Sequence, residues 1–360
     1  MSGTDLFSEI LRELFAARYP VDGGASEADV ALDPERWDEL TELGFTLVSV
    51  PEAAGGGGGS VADGCALVRI AGSHAVPLPL GETTLLGGFV AVAGGLQAPA
   101  GPLTAAPAVA GDLLTLEPTA DGHRLSGRAH GVPWGAAAGT VLVLAREPGG
   151  ALRVAAVPAD RIAALPGANL AGEPRDDLVF DGCLLASALI GTPAPWFDEE
   201  ELLLRGALLR AVSTAGALDR IQELTVGYAR TRQQFGRSIA RFQFVQNHLA
   251  ELAREVALAR TACELAVAAV PEEGPMPRFA IAVARVVGSR AATQVARHAH
   301  QIHGAIGVTT EYPLHLYTRR VLAWRDEYGS ERSWARVVSE EAAQSGDRIW
   351  ELLTATAPAV

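Results

Sequence analysis

Apolar positions along the chain fall into three regimes. Residues 5–18 (DLFSEILRELFAAR) and 34–43 (PERWDELTEL) repeat apolar side chains at three- and four-residue steps. That period predicts two amphipathic helices, the second with Pro34 in its first turn. Helical runs are also predicted over 61–71 and 85–93. From Gly94 to Gly111 the chain is rich in Pro, Ala and Gly, and beyond it the apolar runs shorten to 113–116, 141–145, 152–157 and 178–180. The turn residues between them, with Asp121-Gly122, Asp181-Gly182 and the PGG at 148–150, predict a small β domain. After TPAPW (192–196) the helical period returns, over 199–231, 242–270, 278–300 and 314–324 and again from about Glu331. Long helices joined by short turns fold back as an antiparallel bundle. The expected architecture is α+β, mostly α: an N-terminal helical domain (1–105), a middle β domain (106–195) and a C-terminal antiparallel four-helix bundle domain (196–360).

Composition narrows the chemistry. The net charge of −13 disfavours a general nucleic-acid or anionic-membrane surface. All 29 basic residues are Arg, which excludes a lysine Schiff base and a phosphate-loop lysine. Gly55–Gly59 is not followed by GK[ST] and no buried strand leads into it, so it is expected to be a flexible turn before the helix at 61. Cys65, Cys183 and Cys263 are far apart with no CxxC, and read as small hydrophobes in a reducing compartment. The polar N-terminus carries no signal peptide and no uncharged apolar run reaches the length of a membrane span, so a cytoplasmic protein away from membranes is expected. His298, His300 and His303 are dense. The i, i+2 spacing of the first two sends them to different helix faces, and no Cys or carboxylate accompanies them at ligand spacing. No metal site is expected.

At the junction of two long helices lies YARTRQQFGRSIARFQFVQ (228–246), where Arg230, Arg232, Arg237 and Arg241 surround Phe235-Gly236. Guanidinium groups around one aromatic make a seat for a phosphate and a flat ring; a solvated turn with its Phe tucked into the core is the other reading of these residues.

RTRQQFG followed by FQFVQNHLAEL resembles the R-x-x-F-G-x-x-I-x-x-F-Q-x-x-Q-x-x-L-A-x-M segment of the acyl-CoA dehydrogenases. QIHGAIGVTTEYPLHLYTRR resembles that family's Q-x-x-G-G-x-G-x-x-x-E-Y-P-x-x-x-x-x-R-D segment, with Ala305 at the second Gly. Both occur in family order. The resemblance implies a tetramer binding FAD across subunit interfaces. Arg232 would reach the pyrophosphate and Phe235 the adenine of FAD held mainly by a neighbouring subunit, with Gly236 beside them. Gln301 and Gly304 would approach the same dinucleotide, and His303 would either line its pocket or serve only in packing. The residue types agree with these roles: guanidinium forks onto phosphate oxygens, an aromatic face stacks, and Gly admits close backbone approach.

The family reaction, desaturation of an acyl-CoA thioester, needs a carboxylate at the α-carbon while flavin accepts the hydride. In most members the base lies in a Y-E-G-T segment, which falls here on Glu327-Tyr328-Gly329-Ser330 and places Tyr328 at the base position. Tyrosine, with a pKa of ~10, is a poor base. Other members place the Glu on the first bundle helix, a position held here by Gly206. The β-domain loop T-E-P-x-x-G-S-D is replaced by GPLTAAPAVAGDLL and the W-I-T-N segment by PWGAAAG. Features lent to a neighbour are therefore kept, and those serving the chain's own flavin are lost. The resemblance implies the companion subunit of a heteromeric (α2β2) dehydrogenase such as those acting on sterol side chains, with acyl-CoA as substrate and electron-transfer flavoprotein as electron acceptor. The alternatives are a self-sufficient homotetramer or homodimer using Glu327 or Asp326 as base, and a non-redox member of the same fold.

Overall fold

The computed structural model describes residues 3–19 and 30–354. Four helical stretches open the chain: α1 (Gly3–Arg18), α2 (Pro34–Glu42), α3 (Val61–Ser73), and a wide turn at Glu82–Gly87 that runs into α4 (Gly88–Ala93). Their starts follow from local chemistry. Asp33 accepts from the amides of Glu35 and Arg36 to cap α2, and Ser60 and Asp63 cap α3 reciprocally. Gly55–Gly59 is not the flexible turn expected. The amides of Gly57, Gly58 and Gly59 donate to the carbonyls of Leu47, Val50 and Val48. A Cβ on Gly56 would lie 2.2 Å from the Val50 carbonyl oxygen, so Gly is required there by close backbone approach.

Eight strands follow: β1 (Leu103–Ala106), β2 (Leu114–Thr119), β3 (Gly122–Pro133), β4 (Thr140–Arg146), β5 (Leu152–Pro158), β6 (Ala163–Leu165), β7 (Arg175–Leu185) and β8 (Ile190–Gly191). They form one mixed sheet of order β6-β7-β3-β2-β4-β5-β8, with β1 parallel to β4. Asp121-Gly122 turns β2 into β3, and the glycines at 149–150 lie in the turn from β4 to β5. Asp181-Gly182 is a correction. It lies inside β7, where the register against β3 slips and Gly182 adopts φ +65°, so it forms a bulge and not a turn.

The remainder is helical: α5 (Glu199–Thr231), α6 (Gln243–Ala268), α7 (Arg278–His303), α8 (Leu314–Trp324) and α9 (Glu331–Ser345). Among the described residues one core runs from the sheet into α5 and α7, a second fills the bundle, a third joins α1, α2 and α3 around Phe15 and Trp37, and a small fourth joins Ala229, Ile239 and Ile302. Helix α5 touches α3, α6, α7 and α8, so residues on it are the natural meeting point of the three regions. Among the described residues no helix is long and apolar enough to cross a membrane, and no group of three or more His, Cys, Asp or Glu could hold a metal ion.

Candidate functional site

Two surfaces matter, and they differ in openness. The first begins where α5 ends. Arg232 caps the helix, its amide donating to the Tyr228 carbonyl at 2.8 Å, and the chain reverses through a hairpin with Gln233–Gln234 opposite Arg237–Ser238. The two turn residues, Phe235 and Gly236, both have positive φ (51° and 75°). Such two-residue turns favour Asn-Gly; a phenylalanine there is held in a region that bulky side chains avoid. Its ring is 91 % exposed and meets its own chain edge-on at Phe242, over which the Arg237 guanidinium lies at 4.3 Å. The core-packed alternative for Phe235 is thereby excluded.

The end of α7 comes to the same place. Ile302 packs on Ile239 and Ala229, and the Tyr228 hydroxyl donates to the His303 carbonyl at 3.3 Å. Gln301 and Gly304 are exposed, and Gly304 reverses the chain at φ +65°. Of its two readings, His303 takes the packed one. Its ring is 4 % exposed, stacks on Tyr228 at 4.5 Å, and bonds through Nδ1 to the Ala299 carbonyl. Burial pushes its pKa down, so it is a neutral packed imidazole facing away from the exposed surface. The structure thus brings Arg232, Phe235, Gly236, Gln301 and Gly304 to one open face, with His303 beneath.

The second surface is where the chain's own chemistry would take place. Asp326–Gly329 line a cavity of about 930 Å³ between the sheet and the bundle, with Pro133, Leu203 and Trp334 among its other walls. Gly206 and Tyr328, 122 residues apart, meet here: a Cβ on Gly206 would stand 2.2 to 2.6 Å from the Tyr328 ring. The two positions at which the resemblance implies a base therefore converge on one spot, and a tyrosine ring fills it. Tyr328 itself is 6 % exposed with φ +53°, and burial raises its pKa, so it stays a neutral phenol and offers even less phenolate to accept a proton than free tyrosine does. Gly206→Ala is expected to destabilise the chain by about 1–3 kcal/mol through overpacking. In a Tyr328→Ala background, where the ring is gone, Gly206→Ala should cost less than it does in wild type, as a denaturant double-mutant cycle would show.

Glu327 is placed otherwise. Arg175 forks onto it with Nε to Oε1 at 2.9 Å and Nη2 to Oε2 at 3.0 Å; Arg210 donates to Oε2 at 2.6 Å and Asn169 to Oε1 at 3.0 Å. Burial alone raises a carboxyl pKa. The guanidiniums of Arg175 and Arg210, with the hydrogen bonds from Arg175 and Asn169, more than reverse it and leave Glu327 at about 2. A carboxylate so stabilised, with its oxygens occupied by four donor bonds, is a poor proton acceptor. Asp326 is exposed and paired with Arg325 at 2.8 Å.

The cage extends further. Arg210 also binds Glu82 of the N-terminal region at 2.8 Å, and Arg175 binds Glu173 at 3.0 Å. Glu173 in turn holds Arg320 at 3.2 Å and Trp324 Nε1 at 2.7 Å. Acid and base alternate from Glu82 to Arg320, tying all three regions together. Sequence reasoning missed these partners. The available signal was Arg205 and Arg210 inside the apolar run LLLRGALLRAV, where arginine is buried only with a partner. Arg205 indeed donates to the Leu85 carbonyl and lies over the Phe89 ring.

Helices, a middle sheet and a helical bundle with an open hairpin at one end define an acyl-CoA dehydrogenase-type fold. The family model for the acyl-CoA dehydrogenase C-terminal domain matches residues 199–342. Acyl-CoA dehydrogenase IpdE2 of Mycobacterium tuberculosis is 30 % identical, the match covering 94 % of this chain and 98 % of that protein. Acyl-CoA dehydrogenase FadE34 of the same organism is 31 % identical over 83 % of this chain but only 41 % of its own length. A solved structure, the ChsE4-ChsE5 complex from Mycobacterium tuberculosis, superimposes with a TM-score of 0.84 at 24 % identity, covering 96 % of this chain and 98 % of the other. The chain belongs to the acyl-CoA dehydrogenase family, oxidoreductases that act on CH–CH bonds.

Proposed function

We propose that this chain is the base-lacking companion subunit of a heteromeric, cytoplasmic acyl-CoA dehydrogenase, and that it completes the FAD site of a partner subunit. Arg232, Phe235, Gly236, Gln301 and Gly304 are the residues that would hold the cofactor, which when bound supplies the hydride acceptor. The observation that carries the reading is the Tyr328 ring packed against Gly206, which closes both places for a base while the hairpin face stays open. A Phe kept 91 % exposed at positive φ is backbone strain without an intrachain return, as expected of a group that meets another molecule. The residues around the chain's own cleft do not fit a flavin ring held from within. The hydroxyl Thr104 could offer is buried and committed to the Pro133 carbonyl at 2.8 Å, and Trp134 is packed in the core. FadE34, matched over 41 % of its length by 313 residues, is about twice as long as this chain, room enough for two such units in one polypeptide. The partner carboxylate would remove the α-proton of the acyl-CoA, and electron-transfer flavoprotein would reoxidise the complex.

Co-expression with a genomically adjacent dehydrogenase homologue tests this. An α2β2 native mass with one FAD per heterodimer is expected. A stable homotetramer of this chain alone, carrying one FAD per subunit and turning over acyl-CoA, would overturn it.

A further inference from the structure

His248 on α6 and His298 on α7 face each other with their Nδ1 atoms 2.6 Å apart. His298 is 7 % exposed, and the His248 Nε2 is buried with no hydrogen-bond partner among the described residues. Two imidazole nitrogens at that separation hold one proton between them: one donates and the other accepts. If both rings are charged, both nitrogens donate and the contact turns repulsive.

Their position gives this pair a consequence. His248 lies one turn beyond Phe244, which is 64 % exposed and sets its ring edge-on to the imidazole at 4.4 Å. Leu249, the next residue, packs on the small core of Ala229, Ile239 and Ile302 under the hairpin. His298 lies one turn before Ile302 and Gln301. The pair therefore spans the seam between the hairpin segment (228–246) and the end of α7 (301–304), the two halves of the surface assigned above to the partner's cofactor. We propose that His248 and His298 form a proton-sharing latch that keeps these two halves in register and releases them when a second proton enters.

The surroundings suit this. The charged groups acting on His298 are Arg297 on its own helix and Glu251 and Glu255 on α6. Both acids are already paired with Arg254, at 2.6 and 2.8 Å, and so do little to hold a second proton. Burial first, and then His248, push the His298 pKa below its ordinary value. A histidine whose folded pKa is depressed takes up fewer protons when folded, so the seam is at full strength above the unfolded value near ~6.5 and weakens as pH falls through it.

The placement of the latch relative to FAD rests on the proposed function; its existence does not, so the test uses the full chain alone. Hydrogen-exchange protection factors, which remove the intrinsic pH dependence, are compared at pH 7.5 and 5.5. Wild type is expected to lose protection together in 228–246 and 301–308. His248→Asn, whose amide still reaches the His298 nitrogen, should match wild type at pH 7.5 and stay flat to 5.5. Flat behaviour in wild type, or loss in one segment without the other, overturns the latch. Should the variant fail to fold, NMR titration of the wild-type imidazoles decides. Two separate macroscopic steps for the pair support the latch, and independent ordinary titrations of the two rings overturn it. A chain that shows the coupling yet forms no FAD site with any partner upholds the latch and sinks only the lending role.

Discussion

Glu327→Gln is expected to destabilise the chain by about 3 kcal/mol in denaturant unfolding, without acting as the removal of a catalytic base. The amide keeps the shape but leaves Arg175 and Arg210 each short of one charge partner in a cage only 17 % open to solvent at Glu327. Both keep a second acid, Glu173 and Glu82, so the loss should stay near the lower end of what breaking a buried ion pair costs. The pH dependence gives an independent check. The folded pKa of about 2 lies below the unfolded value of ~4.3, so the carboxylate's contribution is present in full above ~4.3 and disappears as pH falls toward 2. Between those limits the difference corresponds to about 3 kcal/mol at ~1.4 kcal/mol per pH unit. Wild type should lose stability across that window, and the variant should lose less. Unchanged stability together with abolished turnover of the isolated chain would instead mark Glu327 as the base.

Much of the bundle was legible from periodicity. The limits of α5 and α8 and the start of α9 fall where the apolar stripe and the acidic or Ser caps place them, because long helices repeat one signal many times. Helix α7 runs three residues past the expected end because Gly304, and not Gln301, supplies the reversal. The sheet was less legible. Strand β3 carries Gly127, His130 and Gly131 and slips register twice against β7, so its alternation breaks and no apolar run marks it. At the site, local motifs located the hairpin and the α7 terminus, since each is a contiguous segment whose chemistry is its own. The Glu327 cage joins residues up to 245 positions apart, from Glu82 to Glu327, and such pairing leaves no local pattern. The contact of Gly206 with Tyr328 was half legible: each position was marked as lacking a carboxylate, but that they touch is a property of the fold.

Removing the hairpin's two contacts should separate folding from function most sharply. Phe235→Ala and Arg232→Ala each replace an exposed side chain, so the chain alone should unfold within about 0.5 kcal/mol of wild type. In the complex the expectation is different. A guanidinium bonded to pyrophosphate is worth about 1.5–3 kcal/mol, which is roughly 10- to 150-fold in FAD affinity at ~1.4 kcal/mol per tenfold. An aromatic face on adenine adds roughly 0.5–1.5 kcal/mol, or about 2- to 12-fold. The double variant should therefore give a folded chain that still assembles but releases flavin on dilution, followed by flavin fluorescence. The effect would appear in trans, on a cofactor held mainly by the other subunit, and adding excess FAD should restore it. Wild-type retention of FAD by the double variant would mean that the exposed ring and its arginines meet some other surface, and the positive φ at Phe235 would then need a different account.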